Sequence, residues 1–133
     1  MIIWIASYPK SGNTWLRTLI SSYYYSKDGT YNSDLIKQIG QYPEKKHFES
    51  FNYNSKSVIG TTQFWIKAQE KINRDKKIRF FKTHNVYGKI NDNHFTNKQN
   101  SLGCIYIVRD PRNVITSLSN HYELNYEDSL AWM

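Results

Sequence analysis

Residues 7–15 read Ser7-Tyr8-Pro9-Lys10-Ser11-Gly12-Asn13-Thr14-Trp15 and separate two apolar patterns of different period. The preceding residues 2–6 form a short continuous apolar run, which is typical of a buried strand. After the quoted stretch, apolar side chains recur at steps of one, three and four, the spacing of one stripe on a helix. The members of this stripe are Trp15, Leu16, Leu19, Ile20, Tyr23 and Tyr24. The sequence therefore predicts a strand over 2–6, a loop, and an amphipathic helix over 14–26.

The predicted loop combines the features of an anion-binding site. Gly12 lets a ligand approach the backbone closely, and the free N–H groups at a helix N-terminus attract negative charge. Lys10 adds a cation just before them. We therefore expect the loop to hold a phosphate or sulfate group. The alternative, an ordinary polar turn between strand and helix, gives no reason for Lys10 and Trp15.

The loop departs from the usual triphosphate-binding pattern G-x-x-x-x-G-K-[ST]. When Gly12 is aligned with the second glycine, Asn13 stands at the lysine and only Thr14 matches. The lysine lies upstream, at Lys10, from where it reaches the terminal group of a ligand from the other side of the loop. A P-loop kinase is therefore the weaker alternative, with Asp110 as its only candidate for binding Mg²⁺.

The stretch from Tyr8 to Trp15 resembles the 5′-phosphosulfate loop of sulfotransferases that use 3′-phosphoadenosine 5′-phosphosulfate (PAPS) as cosubstrate. Many members carry threonine where this chain has Asn13, whose amide can also donate to an oxyanion. The resemblance implies that the indole of Trp15 stacks on the adenine ring. It further implies that PAPS is bound by Lys10, Ser11, Gly12, Asn13, Thr14 and Trp15.

A second segment of the same family follows the second predicted strand, residues 78–83. This strand ends with Lys82, and His84 comes just beyond it. Histidine is the usual side chain for taking a proton from a hydroxyl nucleophile near neutral pH. Alone, a histidine after a strand is more often structural. The resemblance makes His84 the catalytic base, with Lys10 and Lys82 as catalytic cations.

The third predicted strand, 102–108, is a near-continuous apolar run of the kind found in parallel sheets covered on both faces. Arg109 follows it and Ser117 comes eight positions later, which resembles the family's 3′-phosphate segment. Arginine suits phosphate because its planar fork donates two hydrogen bonds. The alternatives to 3′-phosphate binding are that Arg109 pairs with Asp110 or another surface acid, and that Ser117 faces solvent. Three segments in family order are far more specific than any one of them.

The remaining elements complete an alternation of strand and helix. Residues 31–60 are a loop-rich insertion and the expected place for acceptor contacts, and residues 85–100 are predicted as a loop. Thr61 or Thr62 is the expected cap of a helix, and Asp110 of a later one. The predicted helices after the first cover 33–39, 61–74, 111–122 and 125–133. The fold class is therefore α/β, a three-layer parallel sheet with a P-loop-like strand-loop-helix and ligands at the carboxyl ends of its strands.

Composition limits the range of functions. The chain has 133 residues, about one small domain, and its 16% of aromatic residues supplies a core and excludes a disordered chain. The net charge of +7 is dispersed, which suits an anionic small ligand and gives no inference of nucleic-acid binding. The single Cys104 lies in an apolar run and is expected to be buried in a reducing compartment. The N-terminal run is too short for a signal or membrane segment, so a cytoplasmic location is expected.

Together these features predict a PAPS-dependent sulfotransferase domain over residues 1–133. It would move the sulfuryl group to a hydroxyl, or less often an amine, of a small-molecule or glycan acceptor by in-line displacement. No metal is expected, because His47, His94 and His121 lack the spacing of a metal site. The main alternative is a module that binds adenosine bisphosphate or another anion without turnover.

The resemblance also implies that the chain corresponds to part of a larger domain, as a fragment, a truncated open reading frame or half of an assembly. A complete domain of this family is about twice as long, so the chain resembles its N-terminal half. The family's C-terminal glycine- and basic-rich segment, which closes over the 3′-phosphate and adenine, is absent from the sequence. The apolar residues 130–133 favour self-association.

Overall fold

The structure is a computed structural model that describes residues 1–54, 56–57 and 59–133. These residues form the strands β1 (Ile2–Ser7), β2 (Gly40–Gln41), β3 (Arg79–Thr83), β4 (Lys89–Ile90), β5 (Asn93–His94) and β6 (Ser101–Ile107). Four of the strands make a parallel sheet in the order β2–β3–β1–β6. The parallel α/β architecture and its three long strands are thereby confirmed. The antiparallel hairpin of β4 and β5 lies within residues 85–100, where only a loop was predicted.

The helices alternate with the strands of the sheet. They are α1 (Asn13–Tyr25), α2 (Trp65–Ile72), α3 (Pro111–Tyr122) and α4 (Tyr126–Ala131). Short 3-10 helices cover Ser33–Gln38, Lys45–His47, Thr62–Phe64 and Asn73–Asp75. The helix predicted over 61–74 is thus divided, and within the described residues no side chain caps its first turn at Thr61. None of the described helices combines the length and the apolar composition needed to cross a membrane.

The central strand β1 supports the core on both faces of the sheet, because successive side chains of a strand point to opposite faces. Ile2 and Trp4 pack in an aromatic cluster together with Trp65 and Ala68 of α2. Ile5 packs on the other face in a cluster with Ile39 and Phe80, against which Leu16 and Ile20 of α1 are placed. The sheet therefore lies between α1 and α2.

The aromatic cluster is crossed by a buried hydrogen-bond network. Gln69 of α2 has no exposed surface; its Nε2 donates to the Phe95 carbonyl (2.6 Å) and its Oε1 accepts from Thr96 Oγ1 (2.5 Å). Because the Thr96 hydroxyl hydrogen is used in this bond, the Ser101 hydroxyl donates to Thr96 Oγ1 at 2.7 Å, and Ser101 Oγ accepts from Trp4 Nε1. The network fastens the segment after the hairpin to the sheet.

Replacing Gln69 with Leu is expected to lower the free energy of unfolding by about 2 kcal/mol, because a buried carbonyl loses its donor. The measurement is urea unfolding followed by circular dichroism. Gln63→Leu is the matched control, because Gln63 is exposed and, among the described residues, its side chain makes only a 3.5 Å contact with the Gly60 carbonyl. Equal unfolding midpoints for the two variants would contradict this role.

The apolar strand β6 lies at the edge of the sheet and has exposed side chains on both faces, so the prediction that both its faces are covered is wrong. Among the described residues it pairs only with β1, and Leu102, Ile105 and Tyr106 are 55%, 40% and 64% exposed. Cys104 is exposed as well, not buried as predicted. An apolar run indicates a strand, but it does not reveal the strand's neighbours, and here the sheet order places it last.

The apolar stripe of α1 is only partly turned to the sheet. Leu16 and Ile20 pack on it, whereas Trp15, Leu19, Tyr23 and Tyr24 are exposed. The buried positions include Ser21 and Ser22, whose small side chains let the helix lie close to its neighbours. In α3, Val114 and Leu118 are buried, whereas Tyr122 is 44% exposed.

Candidate active site

The carboxyl ends of β1, β3 and β6 meet at one edge of the sheet, where they open into a cleft of about 910 Å³. This edge is the usual place for a ligand in an open parallel sheet. The cleft is lined by Pro9, Lys10, Gly12, Asn13, Thr14, Trp15, Thr18, Tyr31, Lys82, His84, Arg109, Ser117, His121 and Tyr122.

All of the predicted site residues lie on this cleft except Ser11. Ser11 is buried and borders a smaller neighbouring crevice together with Tyr8 and Tyr106. The reason is the turn of the loop, which has positive φ at Lys10 (64°) and at Gly12 (100°) and so directs successive residues to different sides. Ser11 therefore does not line the cleft itself, and its contact with PAPS stays a prediction.

The loop between β1 and α1 presents free backbone donors to the cleft. Gly12 occupies the N-cap position of α1 in the left-handed region, which glycine adopts without strain. Among the described residues no side chain caps this helix, and its first turn carries no acidic residue. The first N–H groups and the positive end of the helix dipole are therefore available to an anion.

Arg109 links the end of β6 to the same loop. Its Nη1 donates to the carbonyl oxygen of Lys10 at 2.9 Å. The Asp110 carboxylate is engaged elsewhere: it pairs with Arg112 and caps α3 by accepting from the Arg112 backbone N–H at 2.9 Å. In the part of the chain that the structure describes, Asp110 thus pairs with Arg112 and not with Arg109. Ser117 is partly buried on the cleft side of α3.

Lys82 lies near the end of β3 and is partly buried. Burial lowers the pKa of its ammonium group, the nearby Arg17 guanidinium lowers it further, and Glu44 opposes both effects. Such desolvation strengthens the interaction of the ammonium group with any anion that enters the cleft.

His84 is held by the end of β1. Its Nδ1 lies 2.7 Å from the carbonyl oxygen of Ser7. A carbonyl oxygen only accepts hydrogen bonds, so Nδ1 carries the hydrogen and Nε2 of the neutral ring keeps a free lone pair. Burial lowers the pKa of His84, and the positive charge of Lys82 lowers it further. The hydrogen bond to the Ser7 carbonyl raises the pKa, but the net shift is downward. The imidazole is therefore neutral at physiological pH and able to accept a proton.

The side chain of Asn13 points away from the cleft. Its Nδ2 donates to the Ile5 carbonyl at 3.0 Å and to Ser7 Oγ at 3.1 Å. Both amide hydrogens are used in these two bonds, so the expectation that this amide donates to an oxyanion is wrong. Asn13 borders the cleft at the start of α1, where its backbone N–H belongs to the first turn.

The cleft also contains residues that the sequence reasoning missed. The sequence patterns predict no role for His121, yet it lines the cleft four positions after Ser117, on the same face of α3. That spacing is the signal that could have identified it. Thr18, Tyr31 and Tyr122 complete the walls. Within the described parts of the chain, no group of three His, Cys, Asp or Glu side chains is placed to hold a metal ion.

Comparison with known proteins agrees with this arrangement. A family model described as "Sulfotransferase domain" matches residues 2–131, which is nearly the whole chain. No curated protein and no solved structure matches it. The four-stranded parallel sheet flanked by helices is consistent with the sulfotransferase fold. The chain therefore belongs to the sulfotransferase-domain family.

Proposed function

We propose that this chain transfers a sulfuryl group from PAPS to a hydroxyl, or less often an amine, of a small-molecule or glycan acceptor. One observation carries the proposal: Lys10, Lys82, His84 and Arg109 come from the ends of three different strands and line one cleft. Membership of the family implies sulfuryl transfer in general. The donor, the base and the class of acceptor are inferred from the chemistry of the cleft.

The cleft has the size and charge that suit PAPS as donor substrate. Its volume of about 910 Å³ lies within the usual range for small-molecule sites. Lys10 and the N-terminus of α1 form an anion site for the phosphosulfate end. Arg109 and Ser117 offer hydrogen bonds to the 3′-phosphate. The indole of Trp15 is 71% exposed and free to stack on adenine.

His84 acts as the general base in this proposal. Its Nε2 takes the proton of the acceptor hydroxyl. The imidazolium that results carries hydrogen on both ring nitrogens, and its Nδ1–H donates to the Ser7 carbonyl. As the acceptor oxygen bonds to sulfur, the bond between sulfur and the phosphate oxygen breaks. Lys10, Lys82 and the N–H groups of α1 stabilise the negative charge on that leaving oxygen, which is usually the largest contribution to catalysis.

The rate of transfer should fall in acid with a midpoint below pH 6.5, the ordinary histidine pKa. The base works only when neutral, and its lowered pKa keeps it neutral to lower pH. Lys82→Met removes a charge that lowers this pKa, so the acid limb should move to higher pH. The measurement is kcat against pH, with Lys89→Met as control because Lys89 pairs with Asp92 outside the cleft. If Lys82→Met left the acid limb at the same pH, the assigned effect of the Lys82 charge on the pKa of His84 would be contradicted.

Transfer itself is tested with ³⁵S-labelled PAPS and a panel of phenols, alcohols, sugars and amines. We expect labelled product and an equal amount of adenosine 3′,5′-bisphosphate with at least one class of acceptor. A donor that binds and stays intact with every class would contradict the proposal and favour the binding module without turnover.

A further inference from the structure

We infer that Asn13 is a positioning residue for His84, acting through Ser7 to hold the imidazole in the tautomer with hydrogen on Nδ1. Asn13 lies in the loop that binds the donor in our proposal, but its side chain serves the base instead. The catalytic meaning of this inference rests on the proposed function. The tautomer can be observed without any substrate.

The contacts form a continuous chain from α1 to the base. Asn13 and Ser7 are 5% and 3% exposed, and the Asn13 amide bridges Ile5 and Ser7, two positions apart on the same strand. It thereby fixes the last three residues of β1 before the loop begins. The carbonyl of the residue so fixed is the acceptor for His84 Nδ1 at 2.7 Å.

The position of this bond in the sheet shows what supports it. The ladder between β1 and β3 ends with Ala6 opposite Thr83. The next pair along would be Ser7 and His84, and here the bond is made by the imidazole side chain. On the β3 side this side-chain bond lies just beyond the end of the ladder. On its other side Ser7 pairs with Ile107 of β6, and the Asn13 amide adds a hydrogen bond to the Ser7 side chain.

Ser7 offers the imidazole two partners of opposite kind. Its carbonyl oxygen, an acceptor only, lies 2.7 Å from His84 Nδ1, and its hydroxyl lies 3.4 Å away. A hydroxyl can donate, and donation to Nδ1 would move the ring hydrogen to Nε2 and remove the base from the cleft. The Asn13 amide donates to the oxygen of this hydroxyl at 3.1 Å. This bond does not use the hydroxyl hydrogen, but it holds the oxygen at 3.4 Å from Nδ1, so the carbonyl at 2.7 Å stays the nearer partner.

The chain contains an internal reference with the opposite tautomer. His47 Nδ1 accepts the backbone N–H of Glu44 at 3.0 Å, so its ring hydrogen must lie on Nε2. Burial lowers the pKa of His47 as it does that of His84, so both rings are neutral at physiological pH. One spectrum therefore contains both tautomers if the inference is right.

The test is long-range ¹H–¹⁵N spectroscopy of the ¹⁵N-labelled chain at neutral pH, with His84→Gln to assign the ring signals. In the unmodified chain we expect His84 with hydrogen on Nδ1 and His47 with hydrogen on Nε2. Asn13→Asp keeps the side-chain size and removes both N–H donors. Asn13→Ala also removes both donors; it shortens the side chain but adds no charge. In either folded variant the His84 signals should move to a mixture of tautomers, while those of His47 stay unchanged.

Asn100→Asp is the matched control for the loss of a buried amide. Asn100 is 3% exposed and lies at the opposite end of β1, where its carbonyl accepts from the Ile2 N–H. It should leave the His84 tautomer intact. Hydrogen on Nε2 of His84 in the unmodified chain would overturn the inference, as would an unchanged Nδ1–H tautomer in a folded Asn13 variant.

Kinetics separate this inference from the proposed function. With an acceptor that the chain uses, Asn13→Ala should lower kcat by about tenfold, part of what a general base contributes, and change the KM for PAPS by less than about twofold. A rise in the KM for PAPS at constant kcat would overturn the inference, because it would show that the Asn13 side chain contacts bound PAPS. If the unmodified chain showed the Nδ1–H tautomer of His84 but transferred no sulfuryl group, the proposed function would be overturned and the inference about Asn13 and the tautomer would stand.

Discussion

Replacing His84 with Gln is expected to lower kcat by about 10²–10⁴-fold, the usual contribution of a general base. The affinity for adenosine 3′,5′-bisphosphate should stay within about twofold. Glutamine keeps the polar character of the position but cannot take up the acceptor's proton. Binding is expected to survive because the proposed anion contacts are made by the loop, Lys10 and Arg109. The measurements are the turnover of labelled PAPS and calorimetric titration with the bisphosphate.

His94→Gln is the control for this substitution. His94 is exposed on strand β5 and is not part of the cleft. It should change neither turnover nor binding. If His84→Gln weakened bisphosphate binding as much as it lowered turnover, His84 would be a structural residue of the cleft and not its base.

Replacing Arg109 with Ala should weaken binding of adenosine 3′,5′-bisphosphate by roughly 10- to 100-fold, the effect of losing a charge-assisted hydrogen bond. Binding of adenosine 5′-monophosphate should weaken less, because that ligand lacks the 3′-phosphate. Some loss is expected for both ligands, since Arg109 also holds the Lys10 carbonyl at 2.9 Å. The comparison of the two ligands isolates the contact with the 3′-phosphate.

Arg112→Ala removes the same charge from the neighbouring surface and so corrects for long-range electrostatics. The Arg112 side chain is 89% exposed and pairs with Asp110. We expect it to leave both affinities nearly unchanged. Equal losses for the bisphosphate and the monophosphate in Arg109→Ala would show that Arg109 supports the loop without binding the 3′-phosphate.

The parts of the fold that follow from local pattern could be predicted from the sequence. Apolar runs located the long strands, and the rule that ligands lie at the carboxyl ends of parallel strands brought Lys10, His84 and Arg109 to one cleft. These inferences succeed because the ends of adjacent parallel strands meet at one edge whatever the details of packing.

Features that depend on tertiary neighbours could not be predicted in this way. The composition of β6 is that of a covered strand, but the strand order that leaves it at the edge is not a local property. The amide of Asn13 can donate to a ligand or to the protein, and only the position of Ile5 and Ser7 decides between them. His121 has a helical spacing from Ser117 that is visible in the sequence, but its importance depends on which face of α3 borders the cleft.

The central claim is that the cleft is built for a 3′-phosphorylated adenosine donor. Calorimetric titration of the chain with adenosine 3′,5′-bisphosphate, with adenosine 5′-monophosphate and ATP as controls, tests it most directly. We predict a clear preference for the bisphosphate, because only this ligand engages both the Gly12 loop and Arg109 with Ser117. Binding of ATP or the monophosphate as tight as that of the bisphosphate by the folded chain would contradict the claim.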